Sequence, residues 1–336
     1  MKLMFELSKE HKTLPRAEIL ASLEAEDTFC SVVDSNEDVL VVDIKPTKDI
    51  IQRLAQRLAF SFFIDELLFF CPARLSDIVQ NAKQHPLMIE GSIAIRCNNR
   101  SSAISSQEIT DHLGSVYTKD RTVNLKNPDI ELRALLTKTS VYVGVKKAAI
   151  ETSHFQQRRG HLRPFLSPVT LHPKIARALV NLSIVKKQGV LLDPFCGTGG
   201  ILLEAALMGI HVIGSDIQEK MIHGCRKNLE FYQLKNYRLY HSDVGDIPRY
   251  VPLVDGIVTD FPYARATTTK GEQLVQLYKR AFETISGMLT NRGRAVVGLS
   301  SEEICAIGEG YLSVVGTYPV KSHKSLTRYF VVYKKI

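Results

Sequence analysis

In the second half of the chain, apolar positions gather into four short runs, and an aspartate closes each one. The runs are Val190-Leu-Leu-Asp193, Val212-Ile-Gly-Ser-Asp216, Tyr237-Arg-Leu-Tyr-His-Ser-Asp243 and Gly256-Ile-Val-Thr-Asp260, with helix-like segments between most of them. Strands alternating with helices predict an α/β fold with a parallel, doubly wound, Rossmann-like sheet. Such sheets bind ligands beyond the carboxyl ends of their strands, so the four carboxylates are expected to converge on one site. After Asp260 the pattern predicts a helix over 272–289, a strand over 294–299, a helix near 302–307, and strands over 312–320 and 326–333. No helix separates the last two, which predicts a terminal antiparallel hairpin.

The first half reads differently. Strands are predicted over 2–7, 29–33 and 39–44, with a helix over 14–26 between the first two. From Thr47, Ile50, Ile51, Leu54, Leu58 and Phe62 recur at helical spacing, which predicts a long amphipathic helix with an ordinary core face. A strand over 92–97, a helix over 106–116 opened by Ser105 with Glu108 as a cap, and two strands around Asn127-Pro-Asp129 complete an α+β region.

Charge is uneven. Residues 1–150 hold 19 Lys and Arg against 20 Asp and Glu, whereas residues 151–336 hold 24 against 15. The whole chain carries +8, and the excess lies in the half with the four aspartates. An acidic partner is therefore expected to meet that half. Six cysteines are scattered without a C-x-x-C pair or a metal-like grouping with histidine, so reduced thiols, a cytoplasmic setting and no metal are expected. The amino terminus becomes charged too quickly for a signal peptide. The longest apolar stretch, 58–71, is cut by Asp65 and Glu66 and is too short to span a bilayer. No membrane association and no obligate protein partner are expected.

Residues 151–173 break the periodicity and carry Arg158, Arg159 and Arg163. Such a run is either a solvated linker or a phosphate-contacting strap. Leu171-His-Pro173 then opens a helix with proline in its first turn.

Asp193 is followed by Pro-Phe-Cys-Gly197-Thr-Gly199-Gly200. A dinucleotide fingerprint requires a third glycine where Leu202 stands, which weakens a nicotinamide reading. S-adenosyl-L-methionine has no pyrophosphate. It needs close backbone approach, a carboxylate for its cationic amino group and another for its ribose diol. Asp193 and Asp216 are placed for these, and Asp243 with the Val244 amide for the adenine. The tetrapeptide Asp260-Phe261-Pro262-Tyr263 suits methylation of an exocyclic amino group. The carboxylate and the Phe261 carbonyl accept its hydrogens and turn the lone pair outward, while Tyr263 supplies a stacking surface.

The stretches from Arg163 to Leu182, from Asp193 to Glu204 and from Thr259 to Tyr263 resemble the archaeal tRNA (guanine-10-N2)-methyltransferases. Val123–Glu131 and Val141–Gly144 resemble a THUMP domain, an RNA-binding module. The resemblance covers essentially the whole chain. It implies a class I methyltransferase sheet preceded by an α+β region that contains the THUMP-like domain. It also implies a ferredoxin-like type subdomain over 1–50, the THUMP-like domain over 51–150, a basic linker over 151–165 and the methyltransferase domain over 166–336. The implied activity is methylation, once or twice, of guanosine 10 N2 in tRNA. The implied donor site comprises Asp193, Phe195, Gly197, Thr198, Gly199, Asp216, Ile217, Asp243 and Val244. The implied catalytic residues are Asp260, Phe261, Pro262 and Tyr263, with Arg158, Arg159, Arg163 and Arg265 on RNA. The family motif is Asp-Pro-Pro-Tyr-Gly, from which this chain departs at Phe261 and Ala264. A changed side chain at 261 leaves the carbonyl in place, so activity is expected to survive. A methyltransferase for another RNA or DNA amino group, and a catalytically silent RNA-binding protein, stay open at this stage.

Overall fold

The computed structural model describes residues 1–100, 104–167, 170–263, 273–323 and 326–336. Arg265 and Ala264 lie outside the described residues. The chain divides into two compact units: Met1–Arg16, Thr28–Ala55 and Ser61–Glu151 form the first, and Ala17–Asp27, Gln56–Phe60 and Thr152–Ile336 the second.

In chain order the elements to residue 151 are β1 (Lys2–Leu7), α1 (Leu14–Ala25), β2 (Cys30–Ser35), β3 (Val39–Ile44), α2 (Ile50–Arg57), β4 (Ser61–Pro72), α3 (Leu75–Gln84), β5 (Ile93–Asn99), α4 (Ser106–Tyr117), β6 (Ile130–Leu136) and β7 (Ser140–Ala149). The strands form one sheet in the order β2-β3-β1-β4-β7-β6-β5. That sheet runs across residue 50 without a break. β5, α4 and β6 make a parallel crossover, and α3 and α4 bury Ile78, Ala82, Ile109 and Leu113 with Leu132 and Val143 of the strands. Ser105 and Glu108 form the expected capping box: Ser105 Oγ accepts from the Glu108 amide at 3.2 Å, and Glu108 Oε2 accepts from the Ser105 amide at 3.0 Å.

The long helix expected from Thr47 to Phe62 is a correction. Helix α2 ends at Arg57 and Phe62 belongs to β4, which is hydrogen-bonded to β1 on one side and β7 on the other. A strand paired on both edges reads as a nearly continuous apolar run, and over a few residues that run mimics helical spacing. Before Asn127 only an isolated bridge joins Val123 to Ile93, where a strand was expected.

The second unit continues with α5 (Ser153–Gln157), α6 (Pro173–Leu182), β8 (Val190–Asp193), α7 (Gly200–Leu207), β9 (His211–Asp216), α8 (Glu219–Phe231), β10 (Tyr237–His241), β11 (Val254–Asp260), α9 (Leu274–Met288), β12 (Leu289–Leu299), α10 (Glu302–Glu309), β13 (Ser313–His323) and β14 (Leu326–Lys334). The sheet order is β10-β9-β8-β11-β12-β14-β13. β8 to β12 pair in parallel, and β14 pairs antiparallel with β12 and β13, as the hairpin expectation required. Ile257, Val297, Phe282, Ile285 and Tyr333 share the core on the α9 side.

Two early segments of the chain complete this unit. Helix α6 is buried along almost its whole length, so its polar side chains need internal partners. Asn181 Nδ2 donates to Glu18 Oε1 at 2.8 Å and to the Arg57 carbonyl at 2.9 Å, and Arg177 Nη1 donates to the Gln56 carbonyl at 2.9 Å. Glu18 in turn accepts from the amides of Ala59 and Phe60 at 2.9 and 2.8 Å. Among the described residues no helix is long and apolar enough to cross a membrane. None of their histidines, cysteines or carboxylates cluster in threes that could hold a metal ion.

Candidate active site

Strand order reverses between β8 and β11, because the chain leaves β8 toward β9 and β10 and returns to β11 on the other side. That switch point opens a crevice at the carboxyl ends of the strands. A cavity of about 260 Å³ lies there, and Asp193, Asp216, Asp243 and Asp260 all line it. Phe195, Gly197, Thr198, Ile217, Val244, Phe261, Pro262 and Tyr263 line it too.

The carboxylates of Asp193, Asp216 and Asp243 are each held in a fixed attitude. Asp193 Oδ1 accepts from the Phe195 amide at 3.2 Å. Asp216 takes the Gly197 amide on Oδ2 at 3.0 Å and the Gln218 amide on Oδ1 at 2.9 Å, so two backbone donors fix it at the end of β9. Burial pushes the Asp193 carboxyl up to about 7 and raises that of Asp216 as well. Asp243 Oδ1 accepts from the Gly245 amide at 2.8 Å and is ion-paired to Arg280 of α9.

The glycine loop owes its shape to positive φ at Gly197 (49°) and Gly199 (80°). Gly199 is not part of the cavity lining. A Cβ on it would stand 2.5 Å from Cys225 Sγ, so its function is conformational. A mostly apolar cavity bearing three oriented carboxylates fits a ligand with a cationic nitrogen, a vicinal diol and an aromatic amino group. S-adenosyl-L-methionine carries each of these, together with a carboxylate and a sulfonium.

The tetrapeptide is braced from several directions. The Phe261 amide donates to the Gly298 carbonyl at 3.0 Å, and Tyr278 Oη donates to the Pro262 carbonyl at 2.7 Å. The Phe261 ring is buried against Phe195, Tyr278 and Phe282, with centroids 5.2, 5.1 and 5.2 Å away. The apolar core thus accommodates the departure from proline at this position. Asp260 Oδ1 accepts from Tyr263 Oη at 2.6 Å, and Arg328 Nη1 stands 3.3 Å from Oδ2. Burial raises the Asp260 carboxyl above its ordinary value, with the Arg328 charge opposing. The Tyr263 phenol is pushed far up by burial and by Asp260, so it remains a donor.

The structure places two of the arginines expected on RNA, Arg158 and Arg163, inside the unit. Arg158 donates to the fully buried Glu204 of α7 at 2.7 and 2.9 Å and packs on the Phe155 ring. Arg163 is buried, donates from Nε to the Arg158 carbonyl at 2.9 Å and fills the space beside Gly200. A buried carboxylate needs a cation, and the segment leading into the domain supplies it. Arg159 is exposed. Sequence reasoning missed Arg280, Tyr278 and Arg328, which reach the site from distant strands and helices. It also missed Ser167 and Thr170 on the cavity wall, which the Arg163–Leu182 motif contains without marking.

Comparison with known proteins bears on the family and the fold. Residues 160–306 match the RMKL-like methyltransferase domain and residues 73–146 the THUMP domain. The tRNA (guanine(10)-N2)-dimethyltransferase of Methanothermobacter thermautotrophicus is 32% identical over 339 residues, covering 100% of each chain. The crystal structure of TrmN from Thermus thermophilus superposes with a TM-score of 0.53 at 20% identity, covering 99% of this chain and 100% of that one. The structure of SMU.472 complexed with SAH gives 0.52 at 14% identity, covering 100% of this chain and 98% of that one. Both likenesses concern the fold, a class I methyltransferase sheet behind an α+β region. With full-length identity at this level to a curated relative, the chain belongs to the tRNA (guanine(10)-N2)-dimethyltransferase family.

Proposed function

We propose that this protein is a cytosolic enzyme that methylates the exocyclic N2 of guanosine 10 in tRNA, giving N2-methyl- and then N2,N2-dimethylguanosine. The observation that carries the reading is the placement of Asp260-Phe261-Pro262-Tyr263 at the end of β11, facing Asp193 across the switch point in one cavity. S-adenosyl-L-methionine, when bound, supplies an electrophilic methyl group. Asp193 is assigned its amino group, Asp216 its ribose diol, and Asp243 with the Val244 amide its adenine. The choice of tRNA, of guanosine 10 and of two methyl groups follows from the named relative.

The remaining work falls to the tetrapeptide. Asp260 and the Phe261 carbonyl accept hydrogen bonds from the guanine amino group, which frees the nitrogen lone pair from the ring and aims it into the cavity. The Gly298 and Tyr278 contacts hold that peptide turn so its carbonyl need not reorganise. Asp260 takes up the proton that the amino nitrogen releases. Tyr263 stacks on the base once it has left its helix. The first unit, with the THUMP match, is assigned to RNA binding.

The test is incubation with labelled donor and unmodified tRNA, followed by nucleoside mapping. Label in N2-methylguanosine at position 10 is the expected result. Label in another nucleoside or another RNA would redirect the substrate, and no label under donor-binding conditions would leave only the RNA-binding role.

A further inference from the structure

We propose that Arg328, on the terminal hairpin, is the positioning residue of the reaction: its guanidinium holds Asp260 and Tyr263 in the arrangement that receives the amino group. The inference rests on the proposed function for the identity of the reaction, while its structural content is independent of which base is methylated.

Arg328 is contributed by β14, two strands away from Asp260 in the sheet. The strand between them, β12, places Gly298 in register with Asp260, and a Cβ at that glycine would collide with Asp260 Oδ1. The bare position leaves room for the carboxylate. Nη1 of Arg328 stands 3.3 Å from Oδ2, while the guanidinium carbon lies 5.3 Å from the centre of the Tyr263 ring. Tyr263 closes the triangle through its hydrogen bond to Oδ1. One cation therefore fixes the carboxylate and, through a cation–π contact, the ring that is to stack on the base.

Arg328 is 7% exposed, and its Nε has no hydrogen-bond partner among the described residues. Among the described residues, the groups facing Asp260 are Arg328 from β14, Tyr263 from its own loop, Tyr278 from α9 and Asp193 from β8. Arg328 is the cation among them. It thus favours the ionised carboxylate that can accept from the amino group and later take its proton.

The test compares Arg328→Gln and Arg328→Lys with the wild type in the full chain, each checked for folding by thermal melt. Arg328→Gln should lower kcat by about tenfold or more, leave the donor Kd and the KM for tRNA within a few fold, and move the acid limb of the kcat profile to higher pH. Arg328→Lys should restore the position of that limb and most of kcat. Unchanged kcat in Arg328→Gln, or a loss confined to Kd or KM, overturns the proposal. If the glutamine variant does not fold, failure of the folded lysine variant to retain the wild-type acid limb overturns it. Should the wild type leave tRNA unmethylated, the proposed function fails instead. The inference is then decided by following the Asp260 carboxyl by carbon-13 NMR. Its titration midpoint should rise in Arg328→Gln and return in Arg328→Lys, and an unmoved midpoint overturns it.

Discussion

Arg158 and Glu204 form a two-pronged ion pair, at 2.7 and 2.9 Å, between the segment entering the catalytic unit and the helix that follows its glycine loop. Glu204 is fully buried, and Arg177 approaches the same carboxylate at 3.0 Å. Removing Arg158 leaves a buried charge half compensated. Arg158→Ala should therefore destabilise the protein by on the order of 3 kcal/mol, measured by denaturant titration. Arg159→Ala, by contrast, should leave stability within about 0.5 kcal/mol and flatten the salt dependence of tRNA binding by about one phosphate contact. Equal stability losses would refute this division of roles.

Asp260→Ala should reduce methylation by on the order of a hundredfold or more and leave donor affinity within a few fold. On the proposed function the carboxylate addresses the nucleophile, not the donor. Single-turnover kinetics together with calorimetry separate the two, and near-normal turnover would remove Asp260 from the mechanism.

Donor binding should depend on pH through Asp193. Burial pushes its carboxyl up to about 7, so the group protonates as pH falls through neutrality. Only the ionised form can pair with a cationic amino group. Affinity should weaken toward about tenfold per pH unit as pH falls below that value. Calorimetry across this range, with Asp193→Asn as the flat control, checks the sign. Constant affinity from pH about 8 to about 6 in the wild type contradicts it.

Gly199→Ala combines two penalties, a non-glycine residue at φ 80° and a methyl group 2.5 Å from Cys225 Sγ. The loop must shift to relieve them. Donor affinity should fall by about tenfold or more although residue 199 does not line the cavity. An unchanged Kd would show that the loop tolerates the displacement.

A fragment beginning near residue 165 should fail to fold cooperatively. It would lack Glu18 and Arg57, which accept from Asn181, and Gln56, whose carbonyl accepts from Arg177, on the buried helix α6. Buried polar groups without partners are costly. Near-UV circular dichroism of the fragment should lack the native signal, and a cooperative melt would contradict the expectation.

The sequence by itself determined the catalytic sheet and the location of its crevice. Short apolar runs closed by Asp193, Asp216, Asp243 and Asp260 are a local pattern, and the rule relating strand ends to ligand sites needs no long-range information. Turn chemistry at Gly197 and Gly199, the capping box at Ser105 and the terminal hairpin were legible for the same reason. The resemblance of whole motifs supplied the family.

Tertiary structure alone decided what depends on contacts between distant segments. Phe62 follows helical spacing yet joins a strand, because pairing with β1 and β7 outweighs a short-range periodicity. Arg158 and Arg163 read as free charges in a polar stretch, and only packing reveals the carboxylate at 204 and the glycine at 200 that draw them inside. Glu18 and Arg57 complete a helix well over a hundred positions later, which no window along the chain can anticipate. Arg280 and Arg328 are unremarkable in the sequence, and they acquire meaning only when the sheet brings them within reach of Asp243 and Asp260.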